Sequence, residues 1–217
     1  MATEIAHDVM ARLRAHQITT IDEIHAANGE PHPSIVEKEA PRLSPLAIEF
    51  IQKSPYFLVG TSDAAGNCDV SPKGDEPGFV RVLDDSTLAI PDRLGNRRAD
   101  GHRNILENGH VGLIFIVPAV DETLRVNGRA FLTRDPELLE TMANRGKAPH
   151  LATIIEIDQV FMHCARSILR AGLWKPEMWP DPDTIPTMHA ISCELKDMPL
   201  PDESGGKRQE EYRERLY

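Results

Sequence analysis

Two short clusters of small, turn-forming and basic residues are the part of this sequence best suited to chemistry. The first is Ser71-Pro72-Lys73-Gly74-Asp75, and the second, further along the chain, is Gly95-Asn96-Arg97-Arg98. Each follows an apolar run typical of a strand. Glycine lets the backbone approach a ligand closely, and Lys and Arg supply positive charge, which together suit a phosphate group. We therefore expect both clusters to hold one phosphorylated small molecule.

Strand alternation and helix capping refine this expectation. Ser71 and Lys73 are two residues apart, so in an extended segment their side chains share a face. Asn96 is a good N-cap residue and predicts a helix over 97–108 whose first turn carries the arginine pair. Cations are unfavourable at a helix N-terminus, so the pair would need a compensating anion. Ordinary solvated turns with basic residues remain the alternative for both clusters.

Other candidate sites have weaker support. Both tryptophans, Trp174 and Trp179, lie in a segment that also contains basic residues, and Trp174 could stack on a ligand ring, fill a subunit interface or pack in the core. His163-Cys164 suggests a metal ligand pair, but the sequence supplies no third and fourth ligand at a suitable spacing, so we expect no metal. No GxSxG motif is present, and no catalytic side chain stands out.

Composition excludes several classes of partner. The formal net charge of −10 disfavours nucleic acid and an anionic membrane surface. No apolar run approaches the roughly 20 residues that a membrane span needs, and the N-terminus lacks the pattern of a secretory signal. The three cysteines are odd in number and widely spaced, so we expect no disulfide framework and a reducing, cytoplasmic location.

The order of elements predicts a β-barrel or sandwich rather than a doubly wound sheet, because short strands follow one another with tight turns between them. Ser44-Pro45 and Asp135-Pro136 predict helix starts, and Thr20 predicts the start of a second short helix near the N-terminus. The sequence divides into a helical arm at 1–43, a central domain at 44–180 and a C-terminal extension at 181–217. The predicted strands cover residues 56–61, 68–72, 79–83, 87–91, 111–117, 124–132 and 151–161.

The composite pattern resembles a known family. SPKGD, IPDRLGNRR, a helix with NIL, LRVNGR and HCARSILRAGLW follow in order between residues 45 and 180. This resembles the pyridoxamine 5′-phosphate oxidase-like proteins, and within them a subgroup of probable FMN-dependent enzymes of unknown substrate. The resemblance implies a mainly β (α+β) fold, an FMN-binding split β-barrel with inserted helices and, here, an N-terminal helical arm. It also implies FMN as cofactor and a homodimer with the flavin at the subunit interface.

The resemblance carries flavin contacts onto positions of this chain. In the family, one strand lines the flavin, the next strand end contacts the ring, a basic pair clamps the phosphate, and further residues arrive from the second subunit. Thr123 stands where the family often has Gln, and Arg166 and Trp174 are the candidates from the second subunit. The implied contacts are Cys68, Asp69, Val70, Ser71, Pro72, Lys73, Pro91, Asp92, Asn96, Arg97, Arg98, Thr123, Arg166 and Trp174.

The substrate stays open at this point. The C-terminal segment with which the true oxidases hold pyridoxal phosphate has no counterpart in the tail at 202–208. We expect an FMN-dependent oxidoreductase that acts on an unidentified small molecule. The alternatives are the same fold binding a deazaflavin or haem, and a non-catalytic module that binds or senses flavin.

Overall fold

The N-terminal part of the chain is a group of three helices. The computed structural model describes residues 2–93 and 95–199, with side chains from residue 9 onward, and the chain divides into two compact units, 1–38 and 39–217. The first unit contains α1 (Ala2–Ala15), α2 (Ile21–Asn28) and α3 (Pro33–Val36). Thr20 and Glu23 form a capping box at the start of α2, which confirms the helix start predicted there.

The second unit is built on one antiparallel sheet of seven strands. The strands are β1 (Tyr56–Ser62), β2 (Cys68–Gly74), β3 (Arg81–Asp84), β4 (Thr87–Pro91), β5 (His110–Ile116), β6 (Thr123–Thr133) and β7 (Ala152–His163). They lie in the order β2-β1-β5-β6-β7-β4-β3, and all neighbouring strands pair antiparallel. The sheet confirms the predicted mainly β, split-barrel class of fold.

Helices precede, interrupt and follow this sheet. Ser44 and Asp135 cap their helices by accepting hydrogen bonds from Ala47 N and Leu138 N, which confirms both predicted starts. The part of the predicted C-terminal extension from residue 200 onward lies outside the described residues. The helices are α4 (Pro45–Lys53), α5 (Asp100–Glu107), α6 (Pro136–Thr141), α7 (Arg166–Ala171) and α8 (Met188–Glu194), with 3₁₀ turns at Pro176–Met178 and Pro182–Thr184.

Aromatic side chains fill the centre of the core. The ring of Phe57 on β1 packs against Phe79 and Phe115, with ring centroids 5.7 and 5.0 Å apart. Along β5, Val111, Leu113 and Phe115 alternate inward and are buried. Each such side chain contributes about 1.5–3 kcal/mol by leaving water. Burial of these side chains therefore stabilises the pairing of β1 with β5.

No helix within residues 2–93 and 95–199 is both long and apolar enough to cross a membrane.

Candidate functional site

A cavity of about 640 Å³ lies between the two ends of the curved sheet. Strands β1 and β2 form one wall and β4 and β7 the other, while α5 and the connection before it close the third side. Its volume falls within the roughly 300–1,000 Å³ typical of cofactor sites. The apolar part of its surface comes from Phe57, Val59, Ile90, Val111 and Ile155.

Strand β2 presents one face to this cavity. Its residues alternate between partly buried and exposed along the whole strand. Lys73 and Ser71 both line the cavity and both belong to the partly buried set, which confirms that they share a face. The partly buried residues are Asp69, Ser71 and Lys73, and the exposed ones are Cys68, Val70, Pro72 and Gly74. Of the exposed set only Val70 borders the cavity, so Cys68 and Pro72 lie outside its lining.

The connection between β4 and α5 supplies the second polar wall. Asp92, Asn96, Arg97 and Arg98 all line the cavity. Pro91, which was also expected to touch the ligand, is buried at the end of β4 and paired with β7 instead. The two predicted basic clusters therefore meet at one cavity, although they are distant in sequence.

The predicted helix start at residue 97 is wrong. Helix α5 begins at Asp100, and Arg97 and Ala99 both have a φ of +60°. Left-handed residues cannot continue a right-handed helix, so the helical turn starts only after Ala99. Asn96 is not the N-cap, because its Oδ1 accepts a hydrogen bond from Arg98 N at 3.0 Å within a local turn.

The cations that line the cavity differ in their partners. Arg93 Nε lies 2.5 Å from Asp75 Oδ2, and Arg98 Nε lies 2.5 Å from Asp100 Oδ2. The hydrogen bond with Asp100 raises the pKa of the Arg98 guanidinium above its ordinary value.

Lys73 and Arg97 have no such partner. Within residues 39–93 and 95–199, no carboxylate oxygen lies within 4.0 Å of either charged group. These two side chains are therefore the cavity cations best able to bind an anionic ligand.

The first turn of α5 adds hydrogen-bond donors. Residues 99–102 line the cavity, and no side chain caps this helix terminus. The first main-chain N–H groups of a helix have no intrahelical acceptor, so they are available to an anion, which the helix dipole also favours. The Asp100 carboxylate lies beside them and opposes part of that attraction.

Sequence analysis missed one residue that supports the cavity lining from behind, Asn104, and one that belongs to the lining, His102. Asn104 is 7% exposed and donates hydrogen bonds to Thr61 Oγ1 at 3.0 Å and to Asp69 Oδ2 at 2.9 Å, which holds the Asp69 carboxylate in place. His102 Nε2 lies 3.6 Å from Asp92 Oδ1. An Asn beside Ile on the buried face of a predicted helix is a signal that could have pointed to Asn104, whereas His102 carried no sequence signal.

His150 also lines the cavity without a sequence signal. Within the described part of the chain, no group of three or more His, Cys, Asp and Glu residues is arranged to hold a metal ion.

The remaining predicted contacts lie outside the lining of this cavity. Thr123 begins β6 opposite His163. Arg166 is exposed, and its hydrogen bond to Cys164 lowers the pKa of that thiol. Trp174 is half-buried, and its Nε1 donates to Val120 O at 2.9 Å.

The sequence model that describes pyridoxamine 5′-phosphate oxidase matches residues 43–164, more than half of the chain. The chain belongs to the pyridoxamine 5′-phosphate oxidase family. The matched range begins just before α4 and ends just after β7, so it contains the whole seven-stranded sheet. It also contains every residue that lines the cavity. A search of curated proteins found no match.

Solved structures of other proteins are similar at a lower level. A putative pyridoxamine 5′-phosphate oxidase from Lactobacillus delbrueckii is 22% identical over 56% of this chain and 95% of its own, with a TM-score of 0.46. An FMN-binding protein from Syntrophomonas wolfei is 11% identical over 55% and 89%, with a TM-score of 0.41. The haem storage protein HutZ from Vibrio cholerae is 18% identical over 56% and 94%, with a TM-score of 0.40.

Proposed function

We propose that this protein is an FMN-dependent oxidoreductase that acts on a small molecule. The observation that carries the proposal is the pair Lys73 and Arg97. Both line one cavity, and neither has a carboxylate partner among residues 39–93 and 95–199. Two positive charges facing the same space favour binding of a multiply charged anion such as a phosphate monoester.

The donor set fits the phosphate of FMN. Lys73 supplies a point charge from β2, Arg97 supplies a planar guanidinium from the connection before α5, and the start of α5 supplies main-chain N–H groups. Ser71, on the same face as Lys73, adds a hydroxyl that can donate to a phosphate or ribityl oxygen. Together these groups would bind the ligand by its phosphorylated end.

The apolar part of the cavity fits a flat ring system. Phe57, Val111 and Ile155 are buried core residues whose side chains also border the cavity. Burying an aromatic ring against such a surface excludes water from one of its faces. FMN would supply the electron-transfer chemistry, and the protein's part is to bind and orient it and to control the access of water.

We also propose that the protein is a homodimer in which Arg166 and Trp174 contact the flavin of the other subunit. Both residues lie outside the cavity lining of their own chain, which is consistent with a role toward a second copy. Size-exclusion chromatography with light scattering tests this proposal. A monomer that binds FMN with full affinity would contradict it.

Haem binding is the second candidate. His102 and His150 line the cavity, and imidazole is a common axial ligand of haem iron. The cationic groups that favour a phosphate would equally attract the propionates of a haem, so charge alone does not separate the two ligands. Substitution of either histidine should abolish haem binding and leave FMN binding largely intact.

The visible absorption spectrum of the purified protein is the first experiment. We expect a flavin spectrum, and we expect mass analysis of the heat-released ligand to identify FMN rather than a deazaflavin or a porphyrin. A colourless protein that also fails to take up added FMN would overturn the proposal. Under air, each molecule of an enzyme would oxidise many molecules of NADH or NADPH. This would distinguish an enzyme from a module that only binds flavin.

A further inference from the structure

The ion pair between Asp75 and Arg93 joins the two ends of the sheet. Strand β2 lies at one end of the strand order, and β4 with β3 lies at the other. Asp75 directly follows β2, and Arg93 follows the end of β4 by two residues. Their contact at 2.5 Å therefore spans the opening in which the cavity lies.

This pair is fixed by further contacts. The Asp75 side chain is only 1% exposed, and its Oδ1 accepts hydrogen bonds from Glu76 N at 2.8 Å and Asn144 Nδ2 at 3.2 Å. Arg93 Nη1 donates to Met142 O at 3.0 Å. Buried charges are costly unless they are paired and hydrogen-bonded, so the geometry of such a set is strongly constrained.

The pair is close in sequence to both unpartnered cations of the cavity. Lys73 precedes Asp75 by two residues, and Arg97 follows Arg93 by four. A chain segment extends by at most about 3.3–3.6 Å per residue, so anchoring Asp75 and Arg93 to each other limits how far Lys73 and Arg97 can separate. One phosphate can be bound by both only if that separation is small.

We infer that Asp75 and Arg93 are positioning residues for phosphate recognition. They hold Lys73 and Arg97 at a spacing at which both can contact one phosphate group, and neither needs to touch the ligand through its own charge. This inference rests on the proposed function, because it takes FMN as the ligand.

The test compares FMN with riboflavin, which has the same ring and no phosphate. Dissociation constants of both are measured by quenching of flavin fluorescence, for the full-length wild type and for Asp75→Asn. We expect FMN to bind about tenfold or more weakly to the variant and riboflavin to change less than about twofold, because a misplacement of about 1 Å in a binding group is costly. The preference for FMN should therefore fall.

Two further variants make the result specific. Asp85→Asn is the matched control, because Asp85 forms an exposed ion pair with Arg42 and lies outside the cavity lining. Arg42 Nη1 and Asp85 Oδ1 are 3.1 Å apart. This variant should leave the preference for FMN over riboflavin unchanged. Asp75→Asn combined with Arg93→Gln removes both charges, so no buried charge is left unpaired if the single variant fails to fold. This double variant should show the same loss of preference.

The titrations test the positioning role of Asp75 and Arg93 separately from the assignment of the cavity as a phosphate site. If the Asp75 variants keep or increase the wild-type preference for FMN, or weaken both flavins equally, the positioning role is wrong. If the wild-type protein itself binds riboflavin as tightly as FMN, the phosphate assignment of the proposed function is wrong. The two failures are therefore distinguishable in a single set of titrations.

Discussion

Strand β2 and the connection between β4 and α5 both supply polar groups to the cavity, but they position them by different physics. Strand β2 pairs with β1 along its whole length, from Cys68 opposite Ser62 to Gly74 opposite Tyr56. Its side chains therefore alternate strictly between faces. The connection has no such ladder, and two of its residues, Arg97 and Ala99, have left-handed backbone. In a strand, the spacing of residues along the sequence determines which face their side chains lie on. In an irregular segment, tertiary contacts determine where the side chains point.

The two regions also differ in how many of their basic residues are paired with a carboxylate. The connection carries three arginines, but Arg93 is paired with buried Asp75, and Arg98 forms an exposed pair with Asp100. Strand β2 carries a single basic residue, Lys73, and it has no carboxylate partner within residues 39–93 and 95–199. Each region therefore offers one fully available cation, and the two should contribute comparably to ligand binding.

Removing the basic pair of the connection should have the largest effect. Arg97→Ala combined with Arg98→Ala is expected to weaken FMN binding by about a hundredfold or more, because hydrogen bonds to charged groups contribute about 1.5–3 kcal/mol each. The measurement is flavin content after purification together with titration of added FMN. Of the single variants, Arg97→Ala should lose more affinity, since Arg98 is already paired. A double variant that retains full flavin would show that this region does not bind the phosphate.

Removing the cation of β2 should have the next largest effect. Lys73→Met is expected to weaken FMN about tenfold and to leave riboflavin almost unchanged, since only one charge-assisted contact is lost. Lys53→Met is the matched control, because Lys53 is paired with Glu49 in α4 and lies outside the cavity. Equal losses for FMN and riboflavin would mean that Lys73 contacts the ring rather than the phosphate.

The left-handed backbone of the connection predicts a change in stability. Ala99→Gly should raise the free energy of unfolding by about 0.5–1 kcal/mol, because glycine adopts positive φ without the steric cost that Ala99 bears. Chemical denaturation monitored by circular dichroism measures the free energy of unfolding of the wild type and the variant. Ala47→Gly, within α4, should have the opposite sign. A loss of stability in Ala99→Gly would contradict the left-handed conformation.

The smallest effect tests the alternation of β2 itself. Ser71→Ala should weaken FMN about threefold, which corresponds to one neutral hydrogen bond. Cys68→Ala, on the opposite face of the strand and outside the cavity lining, should leave FMN binding unchanged. Both are measured by the same fluorescence titration. A larger loss for Cys68→Ala than for Ser71→Ala would mean that the two faces are reversed in the bound protein.

Short sequence patterns correctly predicted those features, such as helix starts and strand alternation, that depend on residues close together in the sequence. The helix starts predicted at Thr20, Ser44 and Asp135 were correct because helix capping depends on residues within one turn of the helix. The shared face of Ser71 and Lys73 was correct because alternation follows from strand geometry alone. The cap at Asn96 was wrong because its side chain satisfied a nearer N–H group, an alternative with the same sequence signature.

The sequence by itself determined the order of strands and helices and the residue types able to bind a phosphate, because these depend on short-range patterns, and the order of its motifs carried the resemblance to the family. Only the tertiary structure decided which of the basic residues are available. Asp75 meets Arg93 across the opening of the sheet, and Asn104 meets Asp69 from a different element. Such pairings join residues far apart in the chain, so no local pattern specifies them, yet they determine where charge remains for a ligand.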